Sequence, residues 1–556
     1  MPGYVITAIE PGSAAGWPGC IPGRFPGSGP GVCLDDWFLT AAERGNPATR
    51  LDARHSGTAA WSAGNEVRPL IHGAAYFAEL VARIPALRAG DLLLFTDWRG
   101  DPDERLTEGG PRISELLCAA ARRGVVVRGL LWRSHLDRLQ FSGQENRHLG
   151  EEVDAAGGEC LLDMRVRPGG SHHMKMVVLR HADRPAADVA FVGGIDLCHS
   201  RRDDASHRGD PQRQPMAPVY GERPPWHDVQ AMIQGPAVGD VEAVFRERWE
   251  DPAAPTRNPA GRVRDLLAGV DDARRLPPQL PDPPPRGSHA VQLLRTYPYR
   301  RRGYAFAPNG ERSIARGYLK VLPRARSLIY LEDQYLWSTA VVAALARALR
   351  EAPELRLIAV IPRFPDQGGR LSVPPNLVGR IDALEALQRA GGDRVAVYSP
   401  ENAEGTPVYV HAKVCIVDDT WAIIGSDNFN RRSWTHDSEL SCAVVDQPAA
   451  DDGGMGVRRG AGTYAHSLRT ALSREHLGGD AQLDGACGAF EAFRRAAAGL
   501  DAWHAGGRRG PRPPGRLRGY HKPRLSSWTT AWARIPYRLI YDPDGRPPSM
   551  RRAGRF

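Results

Sequence analysis

The sequence predicts an α/β protein of two similar halves, each a mixed sheet flanked by helices, packed around one shared active site. Three observations carry that prediction. From Asn65 onward, stretches with helical spacing alternate with short apolar runs, the pattern of sheets covered by helices. Two of those runs carry the same His-x-Lys pattern, His173 with Lys175 and His411 with Lys413, one in each half of the chain. Between them, Pro277–Pro285 holds six prolines in nine residues, a linker of extended, polyproline-like form.

Residues 1–60 are rich in Gly and Pro, show no periodicity and read as an irregular N-terminal arm. The first half, 61–276, opens with a helix at Ala75–Leu87 and a buried strand at Asp91–Trp98. A helix at Ile113–Arg123, a strand at Val125–Trp132 and a helix at Glu145–Ala156 follow. Then come the first His-x-Lys run (Ser171–Leu179), the apolar run Val189–Asp196, a strand after Trp226-His227-Asp228, and an amphipathic helix at Ala237–Trp249. Residues 277–288 form the linker. The second half, 289–480, runs in the same order: a strand from His289, a helix at Ile314–Leu322, a strand at Ser327–Gln334 and a helix at Val341–Arg350. A strand at Arg356–Ile361, a helix at Ile381–Ala390 and a strand at Val395–Tyr398 lead to the second His-x-Lys run, Val408–Asp418. Helices near 463–475 and 484–500 grade into a helical and basic C-terminal tail, 481–556.

Val408–Asp418 is apolar enough to be one buried strand, and alternation puts His411, Lys413, Cys415 and Val417 on one side of it. A lone histidine in a core strand is unremarkable, but a lysine two residues away on the same face is not, because buried lysine is rare without a partner. An imidazole beside an ammonium suits a phosphate: the lysine holds anionic oxygens while the histidine moves a proton or attacks phosphorus. Each His-x-Lys run is followed by an apolar run that ends in a small-residue turn, Gly193-Gly194-Ile195-Asp196 or Gly425-Ser426-Asp427-Asn428.

These residues resemble the signature of the phospholipase D superfamily, H-x-K-x4-D followed by G-[GS]-x-[ND]. His411, Lys413 and Asp418 match it fully, with Gly425, Ser426 and Asn428 at the family's spacing. The first copy departs from it: Arg180 stands at the Asp position, with Asp183 and Asp188 as candidates to fill in. The block IDLCHSRRDDASH after Gly194, the Trp226-His227-Asp228 triplet and Glu332-Asp333-Gln334-Tyr335 are similar to segments of the eukaryotic-type branch. The resemblance implies a phosphodiesterase that cleaves a glycerophospholipid such as phosphatidylcholine to phosphatidic acid and free headgroup, or transfers the phosphatidyl group, through a phosphohistidine. It makes His173 the nucleophile and His411 the general acid, roles that the residues alone leave exchangeable. Lys175 and Lys413 then bind the non-bridging oxygens, and Asn428 donates to the phosphate. Asp196, at the matching place, holds a lysine, since a carboxylate there would repel phosphate. Glu439 is expected to hold His173, and Asp203 or Asp204 to hold His411. Asp418 completes the catalytic set, and Gly194, Asp196, Ser426, Gln334 and Trp226 are expected at the substrate. No metal or other cofactor is expected: two lysines and a protonated histidine supply the positive charge, and no carboxylate cluster has metal spacing. The alternatives within the superfamily are a cardiolipin synthase-type phosphatidyltransferase and a nuclease; outside catalysis, the alternative is a membrane- or nucleic-acid-binding protein.

Net charge is +9, and it is concentrated: Gly507–Phe556 holds thirteen Arg and Lys against two Asp. Such a tail is read as a solvated extension, or as a contact for an anionic membrane ahead of a nucleic acid. Eight scattered cysteines with no C-x-x-C pair indicate a reduced compartment. The start of the sequence lacks the basic and apolar regions of a signal peptide, and no run is long and apolar enough to span a bilayer. The expectation is a cytoplasmic protein, peripheral at the membrane that carries its phospholipid substrate, and monomeric because one chain supplies both half-sites.

Overall fold

The computed structural model describes residues 34–55, 59–134, 143–255, 273–447, 462–479, 483 and 485–556. Residues 1–33 of the expected arm lie outside the described residues.

The first half contributes strands β1 (Ser62–Ile71), β2 (Leu92–Asp97), β3 (Val126–Trp132), β4 (Glu159–Asp163), β5 (Met176–Arg180), β6 (Val189–Gly193), β7 (Trp226–His227) and β8 (Val229–Gln234). The second contributes β9 (His289–Tyr297), β10 (Glu311–Arg312), β11 (Leu328–Glu332), β12 (Arg356–Val360), β13 (Val395–Pro400), β14 (Tyr409–Val410), β15 (Val414–Val417), β16 (Trp421–Gly425), β17 (Glu439–Asp446) and β18 (Leu517–Gly519). Strands β2, β3, β5, β6 and β8 are buried along nearly their whole length. This explains why their sequences are continuous apolar runs rather than alternating ones.

The order across the first half is β1-β8-β6-β5-β2-β3-β4, and across the second β9-β17-β16-β15-β11-β12-β13. Position by position these are the same sheet, so the duplication read from the two motifs extends to the topology. β2, β3 and β4 pair in parallel, as do β11, β12 and β13, while the remaining main-sheet neighbours are antiparallel. The halves join edge to edge through β1 and β9, whose register shifts between Ser62 and Asn65. Bulged ladders bend, and past this joint β6 and β8 come against β16 and β17. A separate two-stranded parallel pair, β7 with β14, ties the halves together immediately beside His411. Each sheet is covered on both faces. Helices Gly73–Arg83, Ile113–Arg122 and Gly143–Ala155 lie over one face of the first, and Ser313–Val321, Thr339–Glu351 and Val373–Gly391 over one face of the second. Ala237–Trp249, Tyr464–Leu477 and Gly485–Ala505 share the core common to both halves.

Three sequence expectations are corrected. Val408–Asp418 is not one strand: the chain leaves the ladder at His411–Lys413, between β14 and β15. The amides of His411 and Ala412 both donate to the His227 carbonyl of the other half, at 2.7 and 3.1 Å, in place of a neighbouring strand. The N-terminal segment is not loose from residue 34 on. Trp37, Phe38 and Leu39 enter the second half's core, and the buried Arg44 reaches Glu311 at 3.0 Å. Nor is the C-terminal tail a solvated extension. β18 extends the second sheet along β13, and Leu517 joins the core.

Candidate active site

Both His-x-Lys segments lie at the N-terminal ends of the equivalent strands β5 and β15, where backbone leaving the ladder turns towards the other half. His173 N donates to Ser438 O at 2.9 Å, just as His411 N donates to His227 O. These two crossed contacts place each histidine one residue from an acid of the opposite half. Glu439 follows Ser438, and its carboxylate meets His173 Nδ1 at 2.8 Å. Asp228 follows His227, and its carboxylate meets His411 Nδ1 at 2.7 Å. In each pair the carboxylate fixes the ring and leaves Nε2, on its far side, for the cleft.

The lysines are buried at the same site. Lys175 is 1% exposed and Lys413 3%. Each ammonium donates to the carbonyl of its own histidine, Lys175 to His173 O at 2.9 Å and Lys413 to His411 O. Lys175 also lies 3.4 Å from Asp196, which in turn accepts from the Trp98 amide at 3.2 Å. The electrostatics reach across the interface. Burial, then Lys175 and Lys413 from the other half, push His173 well below the usual imidazole range. Burial, then Lys413 and Arg201, do the same to His411. Burial, with Lys175 and against the pull of Asp228, brings Lys413 down to about 8. Burial raises the carboxyls of Glu439 and Asp228. Burial and the neighbouring cations thus favour neutral imidazoles at both histidines, and the two lysines beside them suit an anionic phosphodiester.

The flanks are aromatic. The Trp98 ring lies edge-on to His173, with centroids 6.3 Å apart, and the Trp226 ring packs on His411 at 4.9 Å. The Arg201 guanidinium caps Trp226, 3.9 Å from its centroid.

A family profile described as phospholipase D matches residues 157–344, and one described as cardiolipin synthase, PLD-like domain, matches 318–452. The chain belongs to the phospholipase D superfamily. Among curated proteins it is similar to phospholipase D alpha 1 of Cynara cardunculus, 26% identical over 498 residues that cover 68% of this chain and 60% of that protein. It is also similar to phospholipase D1 of Schizosaccharomyces pombe, 27% identical over 55% of this chain and 27% of that one. The chain thus aligns with less than two thirds of the length of these relatives. Among solved structures, phosphatidylserine synthase of Haemophilus influenzae matches with a TM-score of 0.45 and 12% identity, over 68% of this chain and 82% of that one.

Several residues expected from the superfamily signature stand elsewhere than foreseen. Neither Asp203 nor Asp204 holds His411. Asp203 accepts from the Trp226 and Gly209 amides, at 2.7 and 3.1 Å, and Asp204 caps Ser206. Both organise the loop that carries Trp226, and Asp228 takes the place next to His411. Asp418 lies beyond the far end of β15 from His411. It accepts from the amides of Arg326, Ser327 and Leu328 at 2.7, 2.9 and 2.9 Å, tying that strand end to the start of β11. In the first half, Arg180 is held by Asp188 at 2.8 Å and by Glu242, while Asp183 pairs with surface arginines. Ser426 donates to Glu439 at 2.5 Å, so it supports the carboxylate that holds His173. Asn428 is buried, and its Oδ1 has no protein partner. Gln334 donates to the hydroxyl of Tyr409, two residues before His411, at 2.7 Å. A Cβ on Gly194 would strike the Asp228 carboxylate, so a side chain there would displace the group that orients His411.

Asp228, Arg201 and Trp98 escaped the sequence reading as members of the site. A signal for Asp228 was present: His227-Asp228 leads into β8 as Ser438 leads into β17, which opens on Glu439, and these strands are equivalent in the two halves.

Proposed function

We propose that this chain is a phospholipase D, a phosphodiesterase acting on glycerophospholipids by two successive displacements at phosphorus. The observation that carries the reading is the crossed pair of imidazole–carboxylate contacts, His173 with Glu439 and His411 with Asp228, beside Lys175 and Lys413. His173, held neutral by burial and the two lysines, attacks phosphorus through Nε2 and forms a phosphohistidine. His411 gives a proton to the departing headgroup alcohol, then takes one from the incoming water or alcohol. It must be protonated for the first step, although burial, Lys413 and Arg201 disfavour this. The phosphodiester supplies the missing negative charge and thereby favours the imidazolium. Lys175 and Lys413 hold the non-bridging oxygens and meet the charge that grows on them.

A lipid substrate is favoured over a nucleic acid by the surface of the C-terminal segment. Trp528, Ile535, Leu539 and Ile540 are 73, 64, 71 and 63% exposed, on one helix and the turn that continues it. Arg534 and Arg538 lie among them, the composition of an interfacial, lipid-facing segment. That segment adjoins the site: the Ile540 carbonyl accepts from Arg432 at 2.7 Å, and Arg432 pairs with Asp437, two residues from Glu439.

The second reading, phosphatidyl transfer of the cardiolipin synthase type, uses the same first displacement and differs in the alcohol that ends it. Purified protein incubated with phosphatidylcholine vesicles and ethanol is expected to give phosphatidic acid and phosphatidylethanol. His173→Ala and His411→Ala are expected to lower both products by at least about a thousandfold. Cleavage of plasmid with no lipid turnover would overturn the lipid assignment. Unchanged turnover in either histidine variant would overturn the mechanism.

A further inference from the structure

One residue before Asp228, a second group of imidazoles closes on a single carboxylate. His72, His207 and His227 come from the first half, and Glu475 comes from helix Tyr464–Leu477 of the second. His72 Nε2 lies 2.8 Å from one Glu475 oxygen. His207 Nε2 and His227 Nδ1 lie 3.0 and 3.3 Å from the other. The three histidines are at most 3% exposed, and the four potential ligand atoms lie within 4.8 Å of one another.

Hydrogen-bond accounting makes this more than a polar core cluster. His207 Nδ1 faces the Trp226 carbonyl at 3.1 Å, and a carbonyl can only accept, so Nδ1 carries the proton. His227 Nε2 faces Glu332 at 2.7 Å. The same carboxylate also receives the Tyr330 hydroxyl at 2.6 Å and His476 Nε2 at 2.8 Å, so it is the acceptor for all three. In the neutral rings, His207 Nε2 and His227 Nδ1 then present lone pairs, and both present them to a Glu475 oxygen. His227 Nδ1 is buried and makes no hydrogen bond. Lone pairs facing a carboxylate need positive charge between them, supplied either by two buried imidazoliums or by one cation.

We propose that His72, His207, His227 and Glu475 form a structural zinc site that joins the two halves of the chain. Three imidazoles and one carboxylate make a tetrahedral donor set suited to Zn²⁺, whereas Ca²⁺ and Mg²⁺ prefer oxygen. Ligand atoms of such a site lie about 3.3 Å apart, given metal bonds of about 2.0–2.1 Å. The contacts to Glu475 of 2.8–3.3 Å need to open by only a few tenths of an ångström. The outer partners that fix ligating histidines are already in place, the Trp226 carbonyl on His207 and Glu332 on His227. Arg516 stands 3.5 Å from Glu475 as an outer partner of the carboxylate. The metal would take no part in the reaction. It would pin helix Tyr464–Leu477 to the turn that bears Asp228 and whose carbonyl receives the His411 amide. The members of this set are spread over 403 residues, so no local spacing in the sequence draws attention to them.

The full-length protein, purified and gel-filtered after incubation with Zn²⁺, is expected to carry one zinc per chain by elemental analysis. Cobalt in its place should show the visible bands of a tetrahedral site. Glu475→Gln and His72→Gln should drop the content to below about a tenth, with far-ultraviolet circular dichroism confirming the fold. His173→Ala and His411→Ala should retain the metal, which separates this site from the catalytic imidazoles and makes the test independent of the phospholipase reading. Should Glu475→Gln fail to fold, the cobalt spectrum of the parent chain and the His72→Gln variant still decide. The proposal is overturned if the parent chain binds no zinc in competition with a chromogenic chelator while nitrogen NMR shows His207 and His227 doubly protonated at neutral pH. Zinc lost on removal of His173 or His411 would overturn it equally.

Discussion

His411 is held by one hydrogen bond from its ring, and Asp228 is the group that receives it. The pair is buried, so no water replaces the carboxylate when it is removed. In catalytic triads, exchanging the orienting Asp for Asn leaves the geometry but imposes the wrong tautomer, at a cost of up to about ten-thousandfold in turnover. Asp228→Asn is therefore expected to lower phosphodiesterase turnover by about a hundredfold or more while the thermal midpoint moves little. Asp203→Asn, which touches a loop rather than His411, should change turnover by less than about tenfold. Steady-state kinetics on folded variants decides between them, and equal losses would remove Asp228 from its special place. Both acids stand in segments that resemble the family, but separation along the chain does not report which carboxylate crosses an interface between halves. Position relative to an equivalent strand does, and this becomes visible once β8 and β17 are superposed in the topology.

Asp418 shows how an element can keep a signature residue for structural reasons. Three backbone amides and the Ser327 hydroxyl converge on its carboxylate, and they fix where β11 starts relative to the end of β15. The first half solves the same problem with reversed polarity: Asp91, before β2, accepts from the Ala182 amide beyond β5 at 2.9 Å. That reversal frees the position of Arg180, which instead latches the linker through the Pro281 carbonyl at 2.5 Å. Asp418→Ala leaves the amides unpaired and is expected to cost about 2–3 kcal/mol of stability in urea titration. Turnover per folded molecule should stay within about twofold, because the carboxylate lies away from His411. A selective loss of turnover with unchanged stability would return Asp418 to the chemistry. At this scale the motif residues themselves were legible, as were most helices and strands around them, but not β1, β4, β17 and β18. The break at His411–Lys413 was not, because an apolar run reads as one strand whether its amides bond to a neighbour strand or to a carbonyl of the other half.

Across the whole molecule, the C-terminal segment is built into the second half on one side and presents bulky apolar groups on the other. Trp337 packs against Tyr537 and Tyr541, while Trp528, Ile535, Leu539 and Ile540 face out. Taking one such side chain into an apolar phase is worth about 1.5–3 kcal/mol, so two of them control binding by well over tenfold. Trp528→Ser combined with Leu539→Ser is expected to reduce co-sedimentation with anionic phospholipid vesicles by at least about tenfold. Hydrolysis of a soluble short-chain substrate should be unchanged. Equal sedimentation would mean that this face does not meet the bilayer. Among the described residues no helix is long and apolar enough to cross a membrane. On the lipid reading proposed above, this face is the candidate contact with the bilayer.

Periodicity and the repeated motif already specified two α/β halves and the two His–Lys pairs proposed to bear the chemistry, since burial period and residue type are local properties written in short windows. Partnership was not specified: Asp228 on His411, and three histidines on Glu475, are contacts between segments far apart along the chain. Such contacts exist only after the sheet bends at the β1–β9 joint and brings one half over the other, and no local pattern encodes which distant groups then meet.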